Sequence, residues 1–404
     1  MTGRTTAVPR VGVAVPVYNG ENFVEEAIES ILNQSFEDLE LIISDDGSTD
    51  STEDICRAFT ARDERVRYFR NPENIGPGPN YRRALGLTRA PYVKLAAHDD
   101  VCLPTFIETC VSVLDRDPTV VLAHTAAASI DEAGEVISVW EPNRAMAADD
   151  AETRFRAALD IGDEIYLIWG VARAEVMRRI PPIGAYVGHD RPWLTALALH
   201  GRIDVSPEVL FHQREHPQRS VHTYDWRRPR EAIAWHDRDR ASKFTFPNWR
   251  LLGEHARAIL RAPVNVGVKN RCLQELARWA TDNRQALRWD VAMAAERLPI
   301  AGEQLMGIFS QAAMAVRRRV PDGGAFILID DATLEIDIFG HRTVIPMMEK
   351  NGTYWGPPAD DESAIVELER LRQQGALLVV IAANCYWWLD HYVEFAEHLD
   401  RSFE

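Results

Sequence analysis

The chain has 404 residues and a formal net charge of −16, with 46% hydrophobic and 26% charged residues. These proportions are those of a globular protein, and the length predicts two or three domains. The negative charge argues against nucleic acid as a partner, because phosphate binding needs a basic face. It also argues against strong docking on anionic lipid, while peripheral contact with a membrane stays open.

Cysteine usage and the start of the chain suggest a cellular location. Five cysteines are scattered without a CxxC pair, which favours reduced, buried thiols over a disulfide framework or a zinc knuckle. Met1–Arg10 lacks the apolar stretch of a signal peptide, and the sequence has no apolar run of about eighteen residues. We therefore expect no transmembrane segment and a cytoplasmic location.

The N-terminal part alternates strand and helix signals, as in a βαβ nucleotide-binding unit. Apolar, β-branched runs predict strands at Val11–Val17, Leu39–Ser44, Val66–Phe69, Tyr92–Ala96 and Val120–Ala126. Apolar residues at helical spacing predict helices at Phe23–Asn33, Ser51–Ala61, Asn80–Thr88 and Pro104–Arg116, and Ile130–Val139 predicts a hairpin. The fold class is therefore α/β, with a mainly parallel sheet flanked by helices.

The second half of the chain has a different composition. From Ala232 to Arg318 the residues are rich in Ala, Arg, Leu and Trp, which predicts three or four helices and a candidate homodimer contact. Pro321–Gly324 is a linker signal. Beyond it a strand, a helix and a strand are predicted at Ala325–Ile329, Asp361–Gln374 and Ala376–Ile381. We predict domains at residues 1–230, 231–320 and 321–404, the last a small α/β unit of unknown role.

Polar and acidic motifs follow the predicted strands. They are Pro16–Asn19, Asp45–Asp50 and His98–Asp100, and in an open parallel sheet the carboxyl ends of the strands form the ligand crevice. A carboxylate there can accept the imide N–H of uracil or a ribose hydroxyl. A second acidic pair can hold Mg²⁺ or Mn²⁺, which prefer oxygen ligands, and the cation then neutralises the charge of a departing diphosphate.

These motifs resemble inverting glycosyltransferase family 2, which has the GT-A fold, over roughly residues 11–225. The stretch from Val13 to Asp50 is similar to the N-terminal signature of that family. The resemblance implies that the nucleotide contacts Pro16, Tyr18, Asn19, Asp46, Asn80, Arg83 and Asp99. It also implies a Mn²⁺ or Mg²⁺ cofactor held by Asp100, Asp99 and His216.

The chain departs from the commonest family pattern, in which an aspartate stands two places before Asp99. Ala97 occupies that place, which leaves open whether Asp99 or Asp100 binds the metal directly. We favour Asp100 as the principal ligand and Asp99 as a bridging or ribose-binding residue. A second departure is His189, which stands where the family more often has Glu.

Inversion by direct displacement requires a base that deprotonates the acceptor hydroxyl. Residues 188–193 resemble the acidic pair and following helix of the family, which implies that Asp190 is the base and that His189 contacts the acceptor. Residues 211–216 resemble the Arg-x-His pattern after the last strand, which implies that Arg214 or His216 contacts the diphosphate or the metal. Structural roles compete with these: Asp190 suits a helix cap, and His216 suits an ordinary loop.

The resemblance implies transfer of a sugar from a UDP- or dTDP-sugar donor to a hydroxyl of a saccharide, lipid-linked or small-molecule acceptor. A sugar nucleotidyltransferase is one alternative, although Val17–Gly20 is neither Gly-rich nor basic, as a triphosphate loop would be. A catalytically degenerate GT-A protein that acts as a binding module or scaffold is the other. Ala97 and His189 are the residues that favour it.

Overall fold

The Val-rich run at residues 11–17 forms strand β1, and all seven of its residues are buried. A strand covered on both faces carries a continuous apolar run, which is why this sequence suits the centre of a parallel sheet. The computed structural model describes residues 8–140, 143–162, 164–219, 236, 246–295, 311–330, 339–350, 353–354, 356–382, 385 and 387–402. The chain forms two units, residues 1–223 with 233–287, and residues 224–232 with 288–404.

In the first unit strands and helices alternate as far as β4, and the remainder contains the two longest strands, β6 and β9. The strands are β1 (Val11–Val17), β2 (Leu39–Asp45), β3 (Val66–Arg70), β4 (Tyr92–Leu95), β5 (Val101–Cys102), β6 (Val120–Ile130), β7 (Val136–Trp140), β8 (Val171–Arg173) and β9 (Arg202–Arg214). The helices are α1 (Val24–Leu32), α2 (Thr52–Arg62), α3 (Pro77–Leu87), α4 (Phe106–Arg116), α5 (Ala151–Leu159), α6 (Ala174–Met177), α7 (Asp190–His200), α8 (Pro247–Arg261) and α9 (Val266–Asp282). A further helix, α10 (Arg284–Ala295), runs across the division between the two units.

The described strands of this unit form one nine-stranded sheet in the order β3-β2-β1-β4-β8-β6-β9-β5, with β7 beside β6. Strands β1 to β4 pair in parallel, as do β6 and β9. Strand β8 is antiparallel to both β4 and β6, and it joins the two parallel halves. The carboxyl ends of β1, β2 and β4 therefore lie at one edge, where the loops that carry the acidic motifs begin.

Each predicted strand and helix up to Arg116 is present, with ends that differ by a few residues, and the predicted hairpin is the β6–β7 pair. Helix α1 shows why the spacing was informative. Its residues Val24, Ala27, Ile28 and Ile31 recur every three or four positions and are all buried, while Glu25 and Glu29 face outward. No prediction was made for β5 or β8, which have only two and three residues.

The second unit contains helices α11 (Gln311–Arg319), α12 (Asp361–Gln373), α13 (Trp387–His391) and α14 (Val393–Ser402) among its described residues. Its strands are β10 (Ala325–Ile329), β11 (Thr343–Pro346), β12 (Glu349–Lys350), β13 (Thr353–Tyr354) and β14 (Ala376–Ile381). The parallel order β11-β10-β14 confirms the predicted strand, helix and strand and adds β11. Much of the predicted helical region, at residues 232–235, 237–245 and 296–310, lies outside the described residues, and the three-domain division stays a prediction.

All five cysteines are unpaired and buried, as their spacing predicted. The thiol of Cys56 is a poor nucleophile, because burial raises its pKa to about 12, with a further contribution from Asp45. In the part of the chain that the structure describes, none of the helices has both the length and the apolar character needed to cross a bilayer.

Gly170 marks the closest approach of β8 to β6. A Cβ at this position would lie 2.6 Å from the carbonyl oxygen of Ala123, a backbone atom that cannot swing aside. We expect Gly170→Ala to lower the free energy of unfolding by about 1–3 kcal/mol in a urea titration. Gly86→Ala in α3 is the matched control, because nothing lies within 4 Å of its Cβ and alanine favours helix. Equal stability of the two variants would contradict this packing.

Candidate functional site

The loops that follow β1 and β2 are bound to each other at the sheet edge. The backbone N–H of Asn19 donates to Ser48 Oγ at 2.9 Å, and the N–H of Thr49 donates to Asn19 Oδ1 at 2.9 Å. Asn19 adopts φ 50°, a left-handed conformation that asparagine tolerates. A Cβ on Gly20 would lie 2.5 Å from the ring of His98, so the loop after β4 meets the same edge.

Asp46 holds the loop that leads into α3. Its buried carboxylate accepts hydrogen bonds from Asn71 Nδ2 at 2.7 Å and from the backbone N–H groups of Ile75 and Gly76, each at 2.9 Å. These bonds use three of the roughly four lone-pair positions of a carboxylate. Asp46 therefore shapes the predicted nucleotide loop, and one lone pair is left for a ligand.

The neighbouring Asp45 is also buried and builds the same edge. Its carboxylate accepts from Ser48 N at 2.8 Å and from the hydroxyl of Tyr68 at 2.5 Å. Burial and this hydrogen bond raise the pKa of Tyr68, so the phenol stays a donor. No sequence pattern singled out Tyr68 or Asn71, because both act through partners more than twenty residues away.

Four other predicted nucleotide-binding residues differ in exposure. Pro16 is buried within β1, whereas Tyr18 is 43% exposed at the end of that strand. Asn80 is buried, its amide donates to the Ser44 carbonyl at 2.8 Å, and its oxygen accepts from Ser44 Oγ at 2.7 Å. Arg83 is exposed and has no hydrogen bond to the described residues. Tyr18 and Arg83 are thus accessible to a ligand, whereas Asn80 positions α3 against β2.

Asp99, Asp100, Arg214 and His216 come together although more than a hundred residues separate the two pairs. Asp99 Oδ2 lies 2.9 Å from His216 Nε2, and Asp100 Oδ1 accepts from the backbone N–H of Arg214 at 3.0 Å. Arg214 Nε donates to the carbonyl of Asp99 at 3.1 Å. The pairing of β5 with β9 brings about this contact, since Val101 stands opposite His212.

The side chain of Arg214 is almost fully buried, and four of its five N–H donors are hydrogen-bonded. It donates to the carbonyls of Asp131 and Glu132 at 3.1 Å and to Glu26 Oε2 at 2.6 Å, and it lies 4.9 Å from the ring centre of Phe23. These contacts place Arg214 as a residue that joins α1, the hairpin and the acidic turn. The contact of Arg214 with diphosphate stays a prediction.

The two adjacent carboxylates have different electrostatic environments. Burial and the charge of Asp99 raise the pKa of Asp100 to about 8. Burial acts in the same direction on Asp99, but the neighbouring His98 and the hydrogen bond from His216 outweigh it and lower the pKa of Asp99 to about 2. Two adjacent carboxylates, one buried and one partly buried, are not both ionised at low cost unless positive charge lies close to them.

The donor chemistry of this cluster fits a divalent cation that also binds substrate phosphates. Asp99 Oδ1 and Asp100 Oδ2 have no hydrogen bond from the described residues, and the buried His216 Nδ1 has none either. Mg²⁺ and Mn²⁺ sites of this kind use one or two carboxylates and complete the shell with phosphate and water. The described residues contain no group of three acidic, His or Cys side chains that could hold a metal by themselves.

Asp190 and His189 lie at the start of α7, on the other side of α3. Asp190 is partly exposed, and its Oδ1 accepts from the backbone N–H of Arg191 at 2.9 Å. The ring of His189 stacks on Tyr81 with 6.4 Å between centres, and burial lowers the pKa of His189. Tyr81 follows Asn80 directly in α3. This helix therefore contacts β2 through Asn80 and His189 through Tyr81.

The nine-stranded α/β sheet with acidic loops at the carboxyl ends of its strands defines a GT-A type nucleotide-diphospho-sugar transferase fold. Structures of S. aureus TarS residues 1–349 share it: the complex with UDP-GlcNAc has a TM-score of 0.52 at 16% identity and covers 76% of this chain and 85% of that one. The same fragment without ligand has a TM-score of 0.51 at 15% identity and covers 76% and 84%.

The sequence comparisons identify the family. Residues 12–162 match the model of glycosyl transferase family 2. Chondroitin synthase of Escherichia coli is 35% identical over 131 residues, which cover 32% of this chain and 19% of the relative. A GalNAc(5)-diNAcBac-PP-undecaprenol beta-1,3-glucosyltransferase of Campylobacter jejuni is 38% identical over 104 residues, 25% of this chain and 33% of the relative. The chain thus spans a third or less of the length of these two relatives, and its similarity to glycosyltransferase family 2 lies in its N-terminal part.

The raised pKa of Asp100 has a consequence for stability. Because the folded protein binds this proton more tightly than the unfolded chain, Asp100 reduces stability as the pH rises from about 4 towards its folded pKa of about 8. Asp100→Asn mimics the protonated form. In metal-free buffer we expect it to raise the melting temperature at pH 8.5 by at least about 2 °C, and by clearly less at pH 5.

Asp54→Asn is the control for this pH series, because Asp54 is an exposed residue of α2. Added Mn²⁺ should stabilise the wild-type protein at pH 8.5 and leave the Asp100→Asn protein unchanged. If the melting temperatures of the wild-type and Asp100→Asn proteins changed equally with pH, the pKa of Asp100 would not be raised in the folded protein.

Proposed function

We propose that the chain is a metal-dependent inverting glycosyltransferase that moves a sugar from a UDP- or dTDP-sugar to a hydroxyl of a saccharide, lipid-linked or small-molecule acceptor. The observation that carries this proposal is the joining of Asp99 and Asp100 to His216 and Arg214 at the sheet edge that also holds the Asp46 loop. This edge is the ligand side of an open α/β sheet.

The nucleotide is proposed to bind between the loop after β1 and the loop before α3. Tyr18 offers an exposed ring for stacking, and Asp46 keeps a lone pair for the imide of a pyrimidine. The loop from Asn71 to Gly76 is fixed by Asp46 before any ligand arrives, which reduces the entropy lost on binding. TarS, which shares the fold, has been solved with UDP-GlcNAc, and this supports testing uridine donors first.

Asp99 and Asp100, with His216 beside them, are the residues that would hold Mn²⁺ or Mg²⁺. When bound, such a cation neutralises the charge that develops on the departing diphosphate. Arg214 holds the turn that carries both carboxylates by binding the carbonyl of Asp99 and, through its own N–H, the carboxylate of Asp100. Its contribution is therefore to position these groups.

Asp190 is proposed to accept the proton of the acceptor hydroxyl. One carboxylate oxygen is held by the N–H of Arg191, and this bond orients the group without covering it, since Asp190 is partly exposed. His189 packs on Tyr81 beside it and has a lowered pKa, so a neutral ring stands next to the carboxylate. Asp190 therefore has a neutral ring beside it and no fixed counter-charge from His189, an arrangement that suits a general base.

Donor binding can be tested by thermal shift with UDP, dTDP and GDP, each with and without Mn²⁺. A ligand at a hundred times its dissociation constant stabilises the folded state by about 2.7 kcal/mol, so UDP or dTDP with Mn²⁺ should raise the melting temperature measurably. Asp100→Ala should remove the part of the shift that depends on Mn²⁺, whereas Asp54→Ala should keep it. A shift that is the same with and without the metal in all three proteins would count against the metal site.

The role of Asp190 can be tested by nucleotide release from the preferred donor. We expect Asp190→Asn to lower turnover by about 10²–10⁴-fold while its thermal shift with UDP and Mn²⁺ stays that of the wild type, because the amide keeps the shape and loses the basicity. Glu175→Gln is the control, since Glu175 is an exposed residue of α6 paired with Arg179. Turnover of Asp190→Asn equal to that of the wild type would remove Asp190 from the mechanism.

A further inference from the structure

The chain turns directly after β9, at residues 215–219, and this turn is fixed at both ends. The backbone N–H of Glu215 donates to the carbonyl of Ile130 at the end of β6, at 2.7 Å. Asn22 Nδ2, in the loop after β1, donates to Gln218 Oε1 at 2.9 Å. The turn therefore lies between the end of β6 and the loop that carries part of the predicted nucleotide site.

The middle of the same turn contacts the acidic pair. The ring of His216 lies 4.7 Å from that of Phe23, between centres, and its Nε2 lies 2.9 Å from Asp99 Oδ2. The backbone N–H of Arg219 donates to the carbonyl of His216 at 3.1 Å, which closes the turn. Arg219 is thus attached, through three residues of chain and one hydrogen bond, to a side chain that contacts Asp99.

The side chain of Arg219 retains donors for a ligand. It is 17% exposed, and its Nη1 is paired with the carboxylate of Glu215, four residues earlier. Its Nε and Nη2 donate to none of the described residues, whereas Arg214 already uses four of its five donors within the protein. Because the carboxylate of Glu215 is 32% exposed, an ion pair with it is weak and readily exchanged.

The positive charge of Arg219 acts on both carboxylates of the acidic pair. On Asp99, burial is outweighed by the charge of His98, the hydrogen bond from His216 and this guanidinium, which lower the pKa to about 2. On Asp100, burial and the charge of Asp99 raise the pKa, and the guanidinium acts in the opposite direction. Since such interactions weaken with distance, Arg219 lies near the carboxylates that would hold the cation.

We propose that Arg219 binds the diphosphate of the nucleotide-sugar and exchanges its partner Glu215 for phosphate oxygens when the donor arrives. This inference rests on the proposed glycosyltransferase function and adds a residue that contacts the leaving group. A planar guanidinium binds phosphate oxygens in pairs, and a diphosphate carries more charge than the carboxylate that it replaces. The same contact stabilises the negative charge that develops on the diphosphate as the sugar departs.

The test is calorimetric titration of UDP and of uridine into the full chain at saturating Mn²⁺. We expect Arg219→Gln to bind UDP at least about tenfold more weakly than the wild type, because charge-assisted hydrogen bonds to phosphate are lost. Uridine, which has no phosphate, should bind both proteins equally. Arg57→Gln is the matched control, since Arg57 of α2 is likewise paired with a glutamate four positions away, and it should bind UDP as the wild type does.

Glu215→Gln separates a contact with the diphosphate from a purely structural ion pair. This variant breaks the pair but keeps the guanidinium, so we expect it to bind UDP at least as tightly as the wild type. If Glu215→Gln lost as much UDP affinity as Arg219→Gln, the pair would only hold the turn, and the proposal would be overturned.

Two further results separate this inference from the proposed function. UDP that binds the wild type and Arg219→Gln equally tightly would remove Arg219 from the diphosphate site and leave the proposed function intact. UDP that fails to bind even the wild-type protein with Mn²⁺ would count against the proposed function itself, and the role of Arg219 would fall with it.

Discussion

The whole site depends on burying two neighbouring carboxylates, Asp99 and Asp100, at the edge of a sheet. Such a pair is costly in a low-dielectric interior, and the cost falls only when hydrogen bonds and positive charge are supplied. The end of β9 supplies both: the N–H of Arg214 to Asp100 and the ring of His216 to Asp99. Burial, together with the charge of Asp99, raises the pKa of Asp100 and makes the edge attractive to a divalent cation.

This constraint explains why Arg214 is buried. An arginine at 1% side-chain exposure must have its donors satisfied, and it achieves this through the carbonyls of Asp99, Asp131 and Glu132 together with Glu26. Glu26 is 55% exposed, so this ion pair by itself adds little to stability. The larger effect is geometric, because one side chain fixes three segments that are distant in sequence.

Much of this fold was predictable from the sequence for local physical reasons. Strand β1 is a fully apolar run, and α1 has a clean apolar stripe, so both could be recognised without knowledge of their partners. The pairing of β8 with β4 and β6 could not, because a three-residue strand has no periodicity to detect. Its position is decided by tertiary contacts, such as the close approach of Gly170 to Ala123.

The residues of the candidate site also fall into two groups, those that the sequence predicts and those that it does not. The acidic loops could be predicted because they follow buried strands, and Asp190 and His216 could be reached only through resemblance to a family. Asn71, Tyr68 and Glu26 escaped prediction, since each acts through a hydrogen bond or ion pair to a residue remote in sequence. Residues that hold a site together have no local signature, whereas residues placed at strand ends do.

The acidity of the chain and the anionic character of its proposed substrates appear to conflict only when charge is averaged over the molecule. A net charge of −16 repels a nucleotide diphosphate at long range, but that field is screened within about 10 Å at ordinary salt. Binding is then decided by the nearest groups. At the sheet edge, the proposed cation at Asp99 and Asp100 would supply positive charge directly beside the diphosphate. The nucleotide diphosphate would thus meet a local source of positive charge that the average over the chain does not reveal.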